Sequence, residues 1–453
     1  MIHQYKLAGR NMVVDTNSGA IHQVDDLAYD AIALFETHTE AEIVGELAAL
    51  YPHEPVAEIE GVLQAIQGLK EAGQLFVPDL AFREIAGSAK RSGEVKALCL
   101  HVAHTCNLTC DYCFAREGQY QGDKALMSFD VGKQALDFLL RNSGDRWNLE
   151  VDFFGGEPLL NWDVVKRLVA YGRSQEAQFD KRFRFTLTTN GMLIDDEVIE
   201  FSGREMENVV LSLDGRPEVH DHFRKTSSGA GSYDVVVPKF LELVRRRTKG
   251  SYYIRGTFTR QNLDFVTDIL HMADLGLLEL SMEPVVCSSE SPYALKEEDL
   301  PRIFTEYERL ASEMEQRALL GRGFRFYHYM LNFDHGPCAH KRLVGCGSGT
   351  EYLAVTPTGE LYPCHQFVGD EAYVIGDVWQ GVTNGALWER LAACNVFERE
   401  ACQGCWARMY CGGGCAANAY HVSGRIEGID AMGCALFQKR LECAMVLKAS
   451  GVV

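Results

Sequence analysis

Fifteen cysteines in a chain of 453 residues carry most of the potential chemistry of this sequence. Three of them, Cys106, Cys110 and Cys113, are spaced CxxxCxxC within one short loop. Three thiolates on a tight loop can hold three irons of a [4Fe–4S] cube and leave the fourth iron open. A structural zinc ion usually takes four ligands from two separated pairs, so this loop suits zinc poorly. Three buried thiols packed as small apolar groups are the remaining interpretation, but the residues around them are polar.

A second set of cysteines lies near the C-terminus, with the spacing Cx12Gx4C, a gap, Cx2Cx5Cx3C, a gap, and C. Its members are Cys346, Cys364, Cys402, Cys405, Cys411, Cys415 and Cys434. A hairpin over Glu351–Tyr362, turning at Pro357–Gly359, would bring the first two together. Because Cx2C pairs also serve zinc ribbons, these residues alone leave zinc and iron–sulfur clusters open. The cysteines without a motif, Cys99, Cys287, Cys394 and Cys443, are interpreted as buried thiols.

Alternating strands and helices must position the three-cysteine loop. The apolar run Ala97–Val102 has the profile of a buried parallel strand and leads directly into that loop. Later strands are predicted over Leu149–Phe154, Phe183–Thr188, Val209–Leu213, Tyr252–Phe258 and Leu278–Val285. Helical stretches separate them, such as Ser128–Arg141 with Ser128 as N-cap, and Glu297–Leu320 closes the region. Six such units predict an α/β fold with a parallel, barrel-like sheet.

Polar clusters that contain glycine follow the second, third and fourth of these strands. They are Gly155–Pro158, Thr188–Gly191 and Ser212–Gly215. One such cluster would be a turn and nothing more. Together with the cysteine loop they form four clusters in phase, each at the C-terminal end of a strand, where parallel barrels build their active sites.

The first eighty or so residues predict a small α+β unit. Strand-like pieces at Asn11–Asp15 and Ala20–Val24 flank a Ser18–Gly19 turn and indicate a hairpin. Three amphipathic segments and a short strand follow, at Leu27–Glu36, Glu40–Leu50, Ala57–Glu71 and Gln74–Val77. A charged stretch then predicts a linker before the first barrel strand. After Gly321 the chain becomes rich in Gly and Cys, which predicts a separate small domain.

Composition excludes several classes of function. The formal net charge is -19 and no long basic run occurs, so nucleic acid is not the expected partner. The N-terminus lacks the pattern of a signal peptide, and no apolar run reaches the roughly 18–20 residues that span a bilayer. We therefore expect a cytoplasmic protein without membrane association, whose cysteines are not a disulfide framework because that compartment keeps thiols reduced.

The loop CNLTCDYCF, followed by GGEP, TTNG and SLDG, resembles the signature of the radical S-adenosylmethionine (SAM) superfamily, whose core is a partial (β/α)6 barrel. The resemblance implies that Cys106, Cys110 and Cys113 ligate a [4Fe–4S] cluster whose open iron takes the cofactor's amine and carboxylate. It also implies a set of cofactor contacts. These are Gly155, Gly156 and Glu157 at the ammonium, Asn190, Ser212 and Arg224 at the ribose and carboxylate, and Tyr112 near the adenine.

The C-terminal cysteine pattern resembles the SPASM domain, which carries two auxiliary [4Fe–4S] clusters. The resemblance implies three clusters in all. One auxiliary cluster would be held by Cys402, Cys405, Cys411 and Cys434, and the other by Cys346, Cys364 and Cys415. The second of these lacks a clear fourth ligand. Either Cys338, seven residues before Cys346, fills that position or it is open to substrate.

The N-terminal unit resembles the winged-helix-like module that recognises leader peptides of ribosomally made, modified peptides, by strand addition at a sheet edge. A unit that only helps the barrel to fold is the alternative. The expected domains are then 1–80 for leader recognition, 81–94 for the linker, 95–325 for the partial barrel and 326–453 for the SPASM domain.

Together the three parts resemble maturases that install thioether bridges in ribosomal peptides, closest to those acting on six-cysteine "SCIFF" peptides. The stretch GCGSGTEYLAVTPTGELYPCHQFVG carries most of that closer match. The resemblance implies a Cys-rich precursor with a leader as substrate, a flavodoxin or ferredoxin as electron donor, and a radical that removes a hydrogen atom from an acceptor residue before a Cys sulfur attacks that carbon. Sulfatase maturation, C–C crosslinking of peptides, and a non-enzymatic iron–sulfur or zinc protein remain alternatives.

Overall fold

A computed structural model describes residues 1–79, 93–115, 120, 122, 124–333, 343 and 345–452. Most of the predicted linker 81–94 and the candidate ligand Cys338 lie outside these residues. Within the described ranges, no helix is both long enough and apolar enough to span a membrane.

The N-terminal unit is a three-stranded antiparallel sheet followed by three helices. Its elements are β1 (Ile2–Leu7), β2 (Arg10–Asp15), β3 (Ile21–Val24), α1 (Asp26–Leu34), α2 (Glu40–Leu50) and α3 (Val56–Glu71). The predicted hairpin is β2–β3, and the three amphipathic segments are the three helices. Strand β1 was not predicted; it pairs with β2 on the side opposite β3. Thr39 and Glu42 form a reciprocal capping box at the start of α2.

The prediction of a strand over Gln74–Val77 is wrong. Gly73 and Phe76 have left-handed φ values of 67° and 56°, so the chain turns instead of extending. The segment is fixed by its contacts, because Leu75 is buried among the helices and the Val77 amide donates to Asp15 Oδ2 at 2.9 Å.

A large sheet of twelve strands forms the centre of the molecule. In chain order the strands after the N-terminal unit are β4 (Ala97–His104), β5 (Leu108–Cys110), β6 (Ala125–Leu126), β7 (Asn148–Gly155), β8 (Arg182–Thr189), β9 (Met206–Ser212), β10 (Arg224–Thr226), β11 (Ser251–Phe258), β12 (Glu279–Pro284), β13 (Arg325–Phe326), β14 (Tyr352–Val355), β15 (Glu360–Tyr362), β16 (Gly376–Asp377) and β17 (Gly381–Val382). The spatial order is β13-β12-β11-β9-β8-β7-β4-β14-β15-β16-β17, with β6 beside β4, while β5 and β10 pair separately. From β13 to β14 every neighbouring pair is parallel. The predicted parallel α/β sheet is therefore confirmed, with all six predicted strands adjacent in it.

Helices connect the parallel strands. They are α4 (Phe129–Asn142), α5 (Trp162–Phe179), α6 (Asp196–Glu205), α7 (Pro217–Phe223), α8 (Tyr233–Arg246), α9 (Phe265–Asp274) and α10 (Leu300–Leu319). Short 3-10 turns lie at Pro158–Asn161, Arg260–Asn262, Glu297–Asp299, Tyr327–Tyr329, His365–Phe367 and Glu371–Tyr373. Ser128 caps α4 as predicted, since its side chain accepts from the Val131 amide. All eight residues of β4 are buried, which explains its largely apolar sequence, interrupted only by His101 and His104.

The Cys-rich segment extends this same sheet. The predicted hairpin is β14–β15, and β14 pairs in parallel with β4, so the hairpin adds to the edge of the sheet that leads into the three-cysteine loop. The helices that follow are α11 (Gly385–Ala393), α12 (Glu400–Gln403), α13 (Arg408–Cys411), α14 (Ala416–Ser423) and α15 (Ala431–Ala449). The domain boundaries stay a prediction.

The N-terminal sheet packs against the C-terminal helix α15. The His3 ring stacks on Trp406 with centroids 3.7 Å apart, and its Nε2 lies 3.0 Å from Glu442 Oε1. The Tyr5 hydroxyl donates to the Glu442 carbonyl at 2.9 Å. Tyr5 and Leu7 are buried in the main core, whereas the helices of the unit enclose a smaller core of their own. The N-terminal unit therefore has a small core of its own and also packs against the rest of the molecule.

The buried Asp15 carboxylate is expected to stabilise the N-terminal unit. It accepts from the amides of Asn17 and Ser18 at 2.9 and 3.1 Å as well as from Val77. Asp15→Ala leaves these donors without their acceptor and should lower the free energy of unfolding by about 1–3 kcal/mol. Denaturant unfolding measures the loss, with Glu60→Ala on the exposed face of α3 as the control that changes little. Equal stability of the two variants would contradict this role.

Candidate functional site

The three-cysteine loop leaves β4 and turns back through β5, which pairs with β10 so that Cys110 faces Arg224. Burial raises the pKa of Cys106 to about 11 and that of Cys110 to about 12, and the neighbouring Cys113 thiolate adds to both increases. The three thiols are thus close to one another in a place that disfavours bare thiolates. A metal centre would supply the positive charge that the loop lacks, so this donor set fits an iron–sulfur cluster.

The Gly155–Gly156 turn packs on the first residues of this loop. The Gly156 amide donates to the Ala103 carbonyl at 2.7 Å. A Cβ on Gly156 would lie 2.0 Å from the Thr105 carbonyl oxygen, and one on Gly155 would lie 2.3 Å from that of Ala103. Gly155 also has a φ of 129°. Glycine is required at both positions because the backbones of β7 and the loop approach too closely for any side chain.

Glu157 is fully buried between the ends of β7 and β8. Its carboxylate accepts from the Leu159 amide at 3.0 Å, the Thr189 hydroxyl at 2.8 Å and the Asn190 amide at 2.8 Å. Burial nevertheless raises its pKa to about 7, against the effect of these donors. Since a carboxylate offers about four acceptor positions, one remains for a further donor such as an ammonium group.

Asn190 joins the end of β8 to the cysteine loop. Its Nδ2 donates to Asn107 Oδ1 at 2.7 Å and lies 3.6 Å from Cys106 Sγ. Ser212 ends β9, next along the sheet. The predicted contacts Gly155, Glu157, Asn190 and Ser212 therefore share the C-terminal edge of the sheet around Cys106, as parallel strands require.

Arg224 and Tyr112 meet at a buried carboxylate that the sequence did not identify. Arg224 Nε and Nη2 donate to the two oxygens of Asp214 at 2.9 and 3.1 Å, and the Tyr112 hydroxyl donates to Asp214 at 2.7 Å. The Arg224 guanidinium also lies 5.6 Å from the Tyr112 ring centroid. The only sequence signal for Asp214 was its place in the SLDG cluster. The Asp214 carboxylate therefore occupies two of the three Arg224 guanidinium nitrogens.

The C-terminal cysteines form two groups. Burial raises the pKa of Cys434 to about 12, and Cys411, Cys402 and Cys405 contribute as near neighbours. Burial also raises the pKa of Cys364 to about 12, and Cys415 and Cys346 contribute there. Cys434 therefore lies near Cys402, Cys405 and Cys411, and Cys364 lies near Cys346 and Cys415. Among the described residues, no three His, Cys, Asp or Glu side chains lie in a geometry that would hold a single metal ion.

A cavity of about 780 Å³ lies between the two cysteine regions. Phe114, just past the three-cysteine loop, lines one side, and Cys411, Cys415 and Cys434 line another. The segment Glu283–Ser289, which includes the end of β12, forms a third side. Both candidate cluster regions therefore border one chamber large enough for a short stretch of peptide.

Cys287 corrects one prediction. It was interpreted as a buried thiol, but it is only partly buried and belongs to the wall of this cavity. The segment after β12 carries no pattern from which this position could be read. Cys99, Cys394 and Cys443 are buried as predicted.

Comparisons with known proteins agree with this geometry. Residues 100–265 match the Radical SAM superfamily. An uncharacterized protein of Methanocaldococcus jannaschii is 30% identical over 285 residues, which are 61% of this chain and 86% of that protein. The radical SAM cyclopropyl synthase TigE of Paramaledivibacter caminithermalis is 23% identical over 364 residues, 76% of this chain and 73% of that protein.

A solved structure extends the similarity of fold to nearly the whole chain. Streptococcus suis SuiB bound to the precursor peptide SuiA superposes with a TM-score of 0.55 at 16% identity, and the match covers 95% of this chain and 98% of SuiB. The family match covers the strands that carry the three-cysteine loop and the three glycine-containing clusters. The chain belongs to the radical SAM superfamily.

Proposed function

We propose that this chain is a SPASM-type radical SAM maturase that forms thioether bonds between a Cys sulfur and an acceptor carbon of a ribosomally made precursor peptide. The observation that carries the proposal is the chamber bordered by both cysteine regions. A substrate held there would be close to the radical-generating centre on one side and to an auxiliary cluster on the other. Relatives and neighbours with peptide substrates, such as SuiB with SuiA, support a peptide in this chamber.

In this proposal Cys106, Cys110 and Cys113 hold the [4Fe–4S] cluster to which SAM binds. Glu157 accepts from the cofactor ammonium, and the glycine turn before it lets the cofactor approach the backbone. Asn190 and Ser212 contact the ribose and carboxylate. When bound, cluster and cofactor supply a carbon radical that removes one hydrogen atom from the substrate.

The role proposed for Arg224 differs from the contact with the cofactor ribose and carboxylate that the family resemblance implied. Because Asp214 occupies two of its nitrogens, its main contribution is to hold Asp214 and Tyr112 in place. The Tyr112 ring is then fixed by its hydroxyl and by the guanidinium beside it, as a platform for the adenine. Its hydrogen bond fixes the ring more firmly than packing alone would.

Thioether closure breaks one C–H and one S–H bond and forms one C–S bond. One hydrogen leaves with the cofactor fragment, the thiol loses a proton, and one electron remains. Cys346, Cys364 and Cys415 would hold an auxiliary cluster, which would supply an acceptor for that electron and a positive charge that favours the thiolate form of the substrate sulfur. Cys346 and Cys415 are both exposed, and Cys415 borders the chamber, which supports access from the substrate side.

The N-terminal unit is the proposed leader-binding module. Within the described residues, β3 pairs only with β2, so its outer edge is available for another strand. A purely structural role has support as well, because β1 contributes to the main core. Deleting the unit would therefore damage the fold, and point changes in the leader are a better test than truncation.

Sulfatase maturation and C–C crosslinking are the alternatives within the same architecture. The relative TigE, a cyclopropyl synthase, is an example of different chemistry on a similar chain. Neither alternative requires a substrate thiolate on an auxiliary cluster, so that contact separates them from thioether formation.

The three-cysteine loop should account for one cluster out of three. The anaerobically prepared protein is expected to hold about twelve irons per chain. Replacing Cys106, Cys110 and Cys113 together by Ala should remove about a third of that iron and abolish release of 5′-deoxyadenosine. Cys99→Ala, at a buried thiol outside all three sets, is the matched control. Zinc as the dominant metal, or cofactor cleavage by the triple variant, would contradict the assignment.

If the leader adds to β3 as a strand, its binding should be sensitive to substitution at every second position. Alternate N–H groups of an added strand face the partner edge, so single Pro substitutions along the leader should weaken binding at every second position. Fluorescence anisotropy of labelled precursors with the reconstituted enzyme measures this, while cofactor cleavage without peptide serves as the control. Losses with a helical period of three to four would instead indicate a groove.

Direct binding of the substrate thiolate should be visible by electron paramagnetic resonance. Adding a Cys-containing precursor should change the spectrum of the reduced auxiliary clusters, and the same peptide with Ala in place of Cys should not. Turnover should then leave the Cys peptide lighter by two hydrogen atoms. Identical spectra with both peptides would show that the thiol is activated elsewhere.

A further inference from the structure

A group of charged side chains outside the cofactor site faces the chamber beyond the end of β12. Glu283 lies in the cavity wall, with Ser281 donating to it at 2.9 Å and His328 Nε2 3.1 Å away. Burial works against its ionisation, but His328 and the guanidinium groups of Arg255 and Arg440 outweigh burial and hold the pKa of Glu283 well below its ordinary range. The carboxylate is therefore ionised, whereas burial lowers the pKa of His328, so the two guanidinium groups supply the positive charge that faces Glu283.

Arg440 shares Glu283 with Arg255 as a nearby carboxylate, at a distance too long for an ion pair. It extends from α15 into the cavity wall, and its guanidinium lies 5.9 Å from the Tyr307 ring centroid. Its Nε and Nη1 are shielded from water and donate to no acceptor. No acidic side chain of the described residues forms an ion pair with it. The other acidic side chain of the wall, Asp430, caps the start of the same helix, about 15 Å away along its axis.

Arg255 adds a second cation on the same side of the sheet. It lies on β11 in register with Ser212 and Ser281, and its side chain is exposed. Across the described residues it has no ion pair. The guanidinium groups of Arg255 and Arg440 thus both act on the Glu283 carboxylate, which leaves a net positive charge at the chamber. Because two guanidinium groups share one carboxylate and two shielded Arg440 nitrogens have no acceptor, an anion entering the chamber would be favoured there.

We propose that Arg440 binds a carboxylate of the peptide substrate, which makes an acidic group near the reacting Cys a determinant of specificity. The inference rests on the proposed function, because it assumes that peptide enters this chamber. A carboxylate suits the site because it matches the planar guanidinium and carries the missing charge. It can come from an Asp or Glu side chain or from the C-terminus of the peptide. The overall charge of -19 makes this local attraction selective, since acidic peptides are repelled elsewhere.

Short synthetic peptides separate these sources. The reconstituted full-length protein is given acetyl-Gly-Cys-Gly-Asp-Gly-amide, the same peptide with Asn in place of Asp, and the Asn peptide with a free C-terminal acid. Equilibrium dialysis should give about tenfold tighter binding for a peptide with the recognised carboxylate. Arg440→Gln should remove that preference while the amidated Asn peptide binds as before, and Arg440→Lys should retain part of it. Arg322→Gln, at an exposed position, is the control.

The outcomes distinguish this inference from the proposed function. A preference for the Asp peptide, or for the free acid, identifies which carboxylate Arg440 binds. Equal affinity of all three peptides, with a Cys-dependent change in the cluster spectrum, would overturn the inference and leave the maturase proposal standing. If no short peptide binds, the inference fails, and the maturase proposal fails with it only if the full precursor also leaves the cluster spectrum unchanged. Iron content and unfolding temperature of each Arg440 variant show whether a lost preference reflects lost structure.

Discussion

Burial of thiolates is the constraint on which the rest of this structure depends. Cys106, Cys110, Cys364 and Cys434 all have pKa values raised to about 11 or 12, chiefly by burial. Such groups stay protonated at neutral pH unless a metal centre binds them, so metal binding and the order of these loops are coupled. The surroundings fit that need. Two glycines let β7 lie against the first loop, and Asn190 holds it through Asn107.

The shared sheet fixes how the two cysteine regions face each other. Strand β4 leads into Cys106, and its neighbour β14 belongs to the hairpin that ends at Cys364. A sheet is stiff, so the separation of the two regions is set by adjacent strands and not by a flexible joint. Tyr120 lies between them, with its hydroxyl donating to the Gly155 carbonyl at 3.2 Å and with Cys113 and Cys364 both near its ring. The chamber between the regions follows from this arrangement.

Local patterns predicted the elements, and long-range contacts explain what they missed. The six parallel strands were readable because each is an apolar or alternating stretch bounded by turns and helical segments, and Ser128 marked a helix start. The strand over Gln74–Val77 failed because Phe76 adopts a left-handed conformation that its residue type disfavours. The two sets of C-terminal cysteines came from the resemblance to the SPASM domain and stay a prediction. Asp214 was missed because its partners, Tyr112 and Arg224, lie on other elements. Cys287 and Arg440 likewise gain their place only from the fold, which brings the segment after β12 and helix α15 to the wall of one chamber.

Iron-edge anomalous diffraction from anaerobically grown crystals tests the central claim most directly. The account predicts three separate iron peaks, at Cys106/Cys110/Cys113, at Cys402/Cys405/Cys411/Cys434 and at Cys346/Cys364/Cys415, with the first and third on opposite sides of one chamber. A single iron peak at the first loop, with zinc or no metal at the C-terminal cysteines, would contradict it.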